Sequence, residues 1–389
     1  MKKIFTISIL LVTSFFVKSQ TWVSQTSGTV EDLYGVYFTS STDGWAVGTA
    51  GTVLKTTNGG TSWLLQTTGI TEYLKDVFFI SPNQGWVVGR FGKIYNTTNG
   101  GTTWTLQPSG LTSPFIEAIE FASTSVGWAV SSAGDILHTS NGGTTWGAQS
   151  SGSTTALFDI SVVSSTQSWI VGALGTILTT TNGGTNWTSQ TSSISGNLLK
   201  VFFVSATKGW AVGAGGAIIT TTNGGVNWTT QTSGTTDDLV GLYFYSATNG
   251  IATSSNGKIL MTNDGGLTWV LQTSGTTNGL YDVYSTSSGI VWTVGDVGTI
   301  RTYGNTTGIN NNSQNEFNFE FYPNPVNDKI NFNSKTKIVN VELYNSNGEL
   351  VLTEKNSNCI SLNQLESGVY FLKVNYENNQ IISKKIIKQ

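Results

Sequence analysis

One hexapeptide recurs six times at an almost fixed interval, and that recurrence constrains the chain more than any other feature. NGGTSW (58–63) returns as NGGTTW (99–104 and 141–146), NGGTNW (182–187), NGGVNW (223–228) and DGGLTW (264–269), in steps of 41, 42, 41, 41 and 41 residues. A second marker precedes each copy: GWAVG (44–48), GWVVG (85–89), GWAVS (127–131), SWIVG (168–172), GWAVG (209–213) and a degenerate GIATS (250–254). VWTVG (291–295) is a seventh copy of that marker. All 13 tryptophans lie on the two markers or on the segment 21–28. Each unit resolves into four short β-branched or aromatic runs, in the first unit 33–38, 44–48, 52–57 and 62–66. Four strands in about 40–45 residues describe a β-propeller blade. An α-solenoid would need a 3.6-residue apolar period, which is missing.

The seventh unit supplies only three strands, at 280–285, 291–295 and 299–303. Its fourth is found at the other end of the propeller, where TWVSQTSG (21–28) matches SWLLQTTG (62–69) and TWVLQTSG (268–275). The expectation is therefore an all-β protein with a seven-bladed β-propeller over 20–303, its last blade completed by the N-terminal strand. Closure of this kind removes the exposed sheet edges that an open array would have to protect.

Composition excludes several functions. Charged residues make up 11% of the chain, against roughly 25% in ordinary globular proteins. A net charge of −3 with two arginines gives no basic footprint for nucleic acid. One cysteine (Cys359) and one histidine (His138) exclude disulfide scaffolds, zinc sites and haem pockets, and no cofactor or metal is expected. Residues 1–19 read as an export signal: Lys2 and Lys3 precede an apolar run (4–17) and a small-residue cleavage site. An uncleaved anchor is the alternative, although the run is short for a bilayer, and no other stretch approaches transmembrane length.

The segment T-x-[N/D]-G-G-x-x-W resembles the Asp-box of bacterial-neuraminidase-type repeats. Its capping residue is Asn58, Asn99, Asn141, Asn182 and Asn223, with Asp264 alone keeping the acid. Such a side chain caps its own turn, the glycines take angles closed to other residues, and the tryptophan packs beneath the hairpin. Over 21–303 the longer pattern, L-x-x-V-x-F followed by GWAVG and NGGxxW, resembles the photosystem II assembly and stability factor family. That resemblance implies a non-catalytic chaperone whose partner binds a basic patch. This propeller holds only Arg90 and Arg301, so the photosynthetic role is not carried over.

Past a polar linker (304–315) the pattern changes. Residues 316–389 resemble the type A sorting domain of the type IX secretion system through Pro323-Asn324-Pro325, Gly348, Gly368-Val369-Tyr370 and the lysines Lys384, Lys385 and Lys388. The resemblance implies a small C-terminal β-sandwich, the type IX machinery as partner, passage across the outer membrane, and release or attachment at the cell surface.

Candidate ligand residues lie where propellers bind, on loops between blades and between second and third strands. Of the seven tips between second and third strands, Arg90-Phe91 alone has recognition character. The loops between blades add Glu31, Asp32, Glu72, Asp237 and Asp238. The first strands align Gly35, Asp76, Ala118, Asp159, Lys200, Gly241 and Asp282 in one column. Two readings of Asp76, Asp159 and Asp282 stay open: a polar ring binding a ligand or hard cation, or side chains that bond the backbone of the neighbouring blade. A sialidase would clamp its substrate with three arginines and is excluded by count. Other glycosidases need only two carboxylates. His138 occupies a freely varying column, and no nucleophile elbow or phosphate loop occurs. The expected function is an exported, non-catalytic binding or scaffold module with an unknown surface protein or glycan as partner. The alternative is a glycoside hydrolase or polysaccharide lyase.

Overall fold

The computed structural model describes residues 21–286, 289–304, 320–322, 326–333, 337–345, 349–377 and 381–388. They form two compact units, one ending at 304 and the other starting at 320. The first holds seven four-stranded antiparallel sheets. In the first blade the strands run, from the centre outward, Leu33–Phe38, Gly44–Gly48, Val53–Thr56 and Leu64–Leu65. The innermost strands form a closed cycle, Leu280–Ser285 lying against both Leu239–Phe244 and Leu33–Phe38. Val23–Gln25 pairs with Thr299–Tyr303 in the register Val23 opposite Thr302, so the N-terminal strand completes the seventh blade as the sequence predicts.

The repeat forms this ring because its conserved side chains bridge blades. The second-strand tryptophan stacks on the phenylalanine ending the next blade's innermost strand. Trp45–Phe79, Trp86–Phe121, Trp169–Phe203, Trp210–Phe244 and Trp292–Phe38 all have centroids 3.5–3.7 Å apart. Two seams lack the pair: the innermost strand after Trp128 ends in Val162, and Ile251 stands for the tryptophan before a strand ending in Ser285. Fully burying such a side chain removes about 150–250 Å² from water, so these stacks dominate the core.

The Asp-box hairpins are uniform. Asn58 Oδ1 accepts the Ser62 N–H at 2.9 Å, while Thr56 Oγ1 accepts the Gly60 N–H at 2.8 Å. Asn99, Asn141, Asn182, Asn223 and Asp264 repeat the cap at 2.9–3.0 Å. Hydrogen bonds from Thr268 pull the Asp264 carboxyl down to about 2.

A further residue, three positions after each box tryptophan, ties blades together. Gln25, Gln107, Gln149, Gln190 and Gln231 each donate to the carbonyl of the first box glycine in the next blade, at 2.9–3.1 Å. Each also accepts that blade's box tryptophan N–H, as Gln25 does from Trp63 at 3.1 Å. At the seam between the first two blades Lys55 takes over. Its Nζ donates to the Gly100 carbonyl at 2.9 Å, and Gln66 turns back to Leu64.

The second unit is a β-sandwich. One sheet contains Glu320–Tyr322, Lys329–Asn333 and Cys359–Ser361; the other contains Leu350–Lys355, Ile338–Tyr344, Gly368–Tyr376 and Ile381–Lys388. Ile330, Ile360, Val341, Leu343, Leu372 and Ile386 fill one core between them. Of the sorting residues, Gly368 opens the long strand and Lys385 pairs opposite Phe371. Tyr370 is buried and donates to the Glu366 carbonyl at 2.9 Å. Pro323, Asn324 and Pro325 fall outside the described residues, as do the signal segment 1–19 and most of the linker.

Candidate functional site

Strand direction separates the propeller into two faces. The Asp-box hairpins and the turns after each innermost strand lie on one face. The loops entering each innermost strand and the tips between second and third strands lie on the other, here called the mouth face. Every ligand candidate read from the sequence belongs to the mouth face or to the channel.

In the channel, Asp76, Asp159, Lys200 and Asp282 of the aligned column line a lumen of about 220 Å³. Asp76 accepts the Ile119 N–H at 2.8 Å, Asp159 the Val201 N–H at 2.8 Å, and Asp282 the Val36 N–H at 2.9 Å. Each of these donors belongs to the following blade. One level further in, Glu120 accepts from Val162 at 2.9 Å and Ser161 from Phe203 at 3.0 Å. Of the two readings left open, the geometry shows the carboxylates bonding the next blade's backbone. Lys200 Nζ stands among them, 3.5 Å from Asp159 and 3.6 Å from Asp282. Among the described residues, no group of three His, Cys, Asp or Glu is arranged to hold a metal ion.

Burial in the lumen shifts these groups. Burial pushes Asp76 up to about 7 and Asp159 to about 6 against the pull of Lys200, and pushes Glu120 to about 8. Asp282 moves the same way for the same reason. Burial opposes the Lys200 charge, but Asp159, Asp282 and Asp76 outweigh it and hold its pKa well above the usual lysine range. Around Glu120 and Ser161 the same level is aromatic. Tyr37, Phe78, Phe202, Tyr243 and Tyr284 meet in tilted pairs with centroids 4.7–5.1 Å apart.

On the mouth face the predicted acids act on neighbouring loops. Asp32 Oδ1 accepts the Val297 N–H at 2.8 Å, and Asp238 Oδ1 the Gly215 N–H at 2.8 Å. Glu31 accepts the Thr49 hydroxyl. Glu72 accepts from Tyr95 at 3.1 Å, and Asp237 pairs with Lys258 at 2.9 Å. Two further acids, missed in the sequence, join them: Asp296 accepts the Tyr281 hydroxyl at 2.6 Å, and Asp135 the Ser131 hydroxyl at 2.5 Å.

Aromatic residues gather beside them. Tyr34 stacks on Tyr281 at 4.9 Å and lies 5.7 Å from Tyr73, which meets Phe115 edge-on at 6.3 Å. Lys75 lies 5.0 Å from the Tyr34 centroid and pairs with Glu117 at 3.4 Å. The Arg90 guanidinium lies 4.7 Å over its neighbour Phe91 and 5.9 Å from Phe115. Arg90 and Phe91 are thus joined to Tyr34, Tyr73, Tyr281 and Phe115 in one patch across four blades. Repetition could not reveal those four, because each has a different residue type in most sister units. Arg301 donates to the Gly275 carbonyl in the mouth-face loop entering the seventh blade's innermost strand, and the half-buried His138 ring packs 4.9 Å from Trp128 on the outer part of the third blade.

Comparison with known proteins now bears on both units. Residues 320–389 match the family described as secretion system C-terminal sorting domain. That match decides the second unit. It is a type IX sorting domain, and it marks the protein for secretion or attachment at the outer surface. Residues 65–153 and 147–221 match the family described as photosynthesis system II assembly factor YCF48. No curated protein matches the chain. Among solved structures, YCF48 from Cyanidioschyzon merolae is 21% identical with a TM-score of 0.61, covering 73% of this chain and 98% of that one. A structure titled YCF48 bound to D1 peptide is 22% identical, with a TM-score of 0.62 and coverage of 72% and 96%. Streptogramin B lyase is 13% identical, with a TM-score of 0.64 and coverage of 73% and 98%. At these identities the likeness shows the propeller fold. Among the described residues no helix is long and apolar enough to cross a membrane.

Proposed function

We propose that the propeller is a non-catalytic binding or scaffold module, exported behind the 1–19 signal and presented outside the cell through the 316–389 domain. Its partner is held on the mouth face. One observation carries this reading: on the Asp-box face a repeated set of polar side chains fastens blade to blade, whereas the mouth face bears an unrepeated aromatic and charged patch, half-buried at Tyr34, Tyr73, Phe115 and Tyr281 and exposed at Arg90 and Phe91. The YCF48 structure with a bound D1 peptide is an example of the same fold serving recognition. Fold alone does not assign function, so the weight rests on the patch.

A second reading has one observation in its favour. Glu120 stays protonated near neutral pH beside ionisable aspartates, the arrangement a glycosidase or lyase needs for general acid catalysis. Against it, each of the four channel carboxylates accepts a backbone N–H, and Lys200 occupies the space between them. The secreted protein incubated with a polysaccharide panel should release neither reducing ends nor unsaturated products. Turnover that disappears in Glu120→Gln would establish the enzyme instead.

A further inference from the structure

Three exposed apolar side chains on the mouth face stand where the backbone favours glycine. The tip between second and third strands carries a left-handed residue in five blades: Ala50 (φ 52°), Phe91 (61°), Leu174 (54°), Gly215 (65°) and Val297 (53°). Gly215 shows what the turn accepts without strain. A bulky side chain there is disfavoured, and a β-branched one is a marked outlier. Yet Phe91, Leu174 and Val297 are 43%, 72% and 60% exposed, so core packing does not explain them. Their turns are also braced: Asn197 Oδ1 accepts the Leu174 N–H at 3.3 Å, and Asp32 the Val297 N–H at 2.8 Å. Strain held at a fixed, exposed position points to a contact made by the side chain itself.

The three tips belong to the second, fourth and seventh blades, so they flank the channel mouth on three sides. Between them the mouth is a cavity of about 320 Å³ whose wall is mostly apolar, with Tyr34, Phe158, Leu199, Val240 and Tyr281, and also holds Lys75, Glu117 and Lys200. Charge gives this face a sign. The mouth loops and rim carry eight carboxylates but five cations: Lys75, Arg90, Lys93, Lys258 and Arg301, whose guanidinium bonds the loop at Gly275. Lys75 and Lys258 are already paired with Glu117 and Asp237. The remaining propeller residues outside the channel are neutral in sum: Asp43 and Asp264 against Lys55 and Lys208. An acidic rim around apolar posts complements a partner of opposite charge.

We propose that the mouth face docks a polypeptide partner that is both apolar and cationic. Phe91, Leu174 and Val297 act as anchors, and the acidic rim steers the partner's lysines and arginines. This rests on the mouth face being the binding face and adds the chemistry of what it binds. It also reverses the sign of the basic patch that the assembly-factor resemblance would imply.

The test uses the full mature chain and three fluorescent peptides with one Leu/Phe pattern, differing only in Lys, Gln or Glu at the intervening positions. Dextran serves as a neutral glycan. The Lys peptide should bind at least about tenfold tighter than the Glu peptide, and should weaken between about 50 mM and about 500 mM salt. Phe91→Gly/Leu174→Gly/Val297→Gly should lose about tenfold in affinity for it, while its Tm stays level or rises because glycine relieves the left-handed turns. Val297→Gly alone should show the same pairing of effects in smaller measure. Equal binding of the three peptides, preference for the Glu peptide, or full affinity in the triple variant would overturn the proposal while leaving a binding module. Retention of dextran with no peptide bound would overturn it as well. Polysaccharide turnover would instead remove the underlying reading.

Discussion

On the Asp-box face a recurring glutamine fastens one blade to the next; on the mouth face the contacts differ from blade to blade, some crossing a seam, as Asp32 to Val297 and Asp238 to Gly215, while Arg90 and Phe91 stay exposed. The difference follows from which residues repeat. A glutamine that recurs every 41 residues meets the same glycine carbonyl in seam after seam, so it can only be a fastening. Tyr73 or Phe115, present once, fastens nothing that the other seams require. A closed repeat ring thus separates its duties by periodicity: what recurs holds the ring, and what does not is free to recognise something.

Four substitutions or conditions test that division. Trp210→Ala should be the most damaging. It removes a fully buried ring stacked on Phe244 together with its bond to the Gly265 carbonyl, for a loss of about 3–5 kcal/mol in urea denaturation. A mouth-face residue giving a comparable loss would break the comparison. Lys200→Met should follow at about 3 kcal/mol, because it leaves Asp159 and Asp282 facing each other without a counter-ion.

The third test is pH. The carboxyls of Glu120, Asp76 and Asp159 have folded values raised above their unfolded ones, so the native state binds more protons between them. Their contribution is full below about pH 4 and is lost as pH rises through about 6 to 8. The propeller should therefore be less stable at pH 9 than at pH 5, by on the order of 2–3 kcal/mol after screening by water in the lumen. Glu120→Gln should flatten the profile, and an unchanged slope would remove Glu120 from the account. The smallest effect separates two members of one column. Gln231→Ala should cost about 1–2 kcal/mol, since it strips partners from Gly265 and Trp269, whereas Gln66→Ala should cost almost nothing.

The blades, the closure through residues 21–28 and the Asp-box caps could be read in the sequence because each is written into a period or a local turn. The glutamine fastening was equally periodic, three residues after every box tryptophan, but its meaning lies across a seam and needs the ring to appear. The aspartate column was visible, yet its bonds of under 3 Å to the following blade's backbone belong to the closed ring and have no mark in the sequence. The mouth patch was least legible. Arg90 and Phe91 declared themselves by residue type, while Tyr34 with Tyr281 and Tyr73 with Phe115 occupy two repeat columns whose other positions mostly hold unrelated residues. Only folding brings them together.

Pairing Val23 with Thr302 joins two points of the chain about 280 residues apart. Such a contact cannot form early, because every intervening blade must be in place before the two strands meet. A chain emerging from its N-terminus carries residues 23–25 as an unmated strand until residue 303 has followed. Neither end of the propeller can therefore be trimmed without reopening a sheet edge: loss of residues 23–25 would leave Thr299–Tyr303 unpaired on one side.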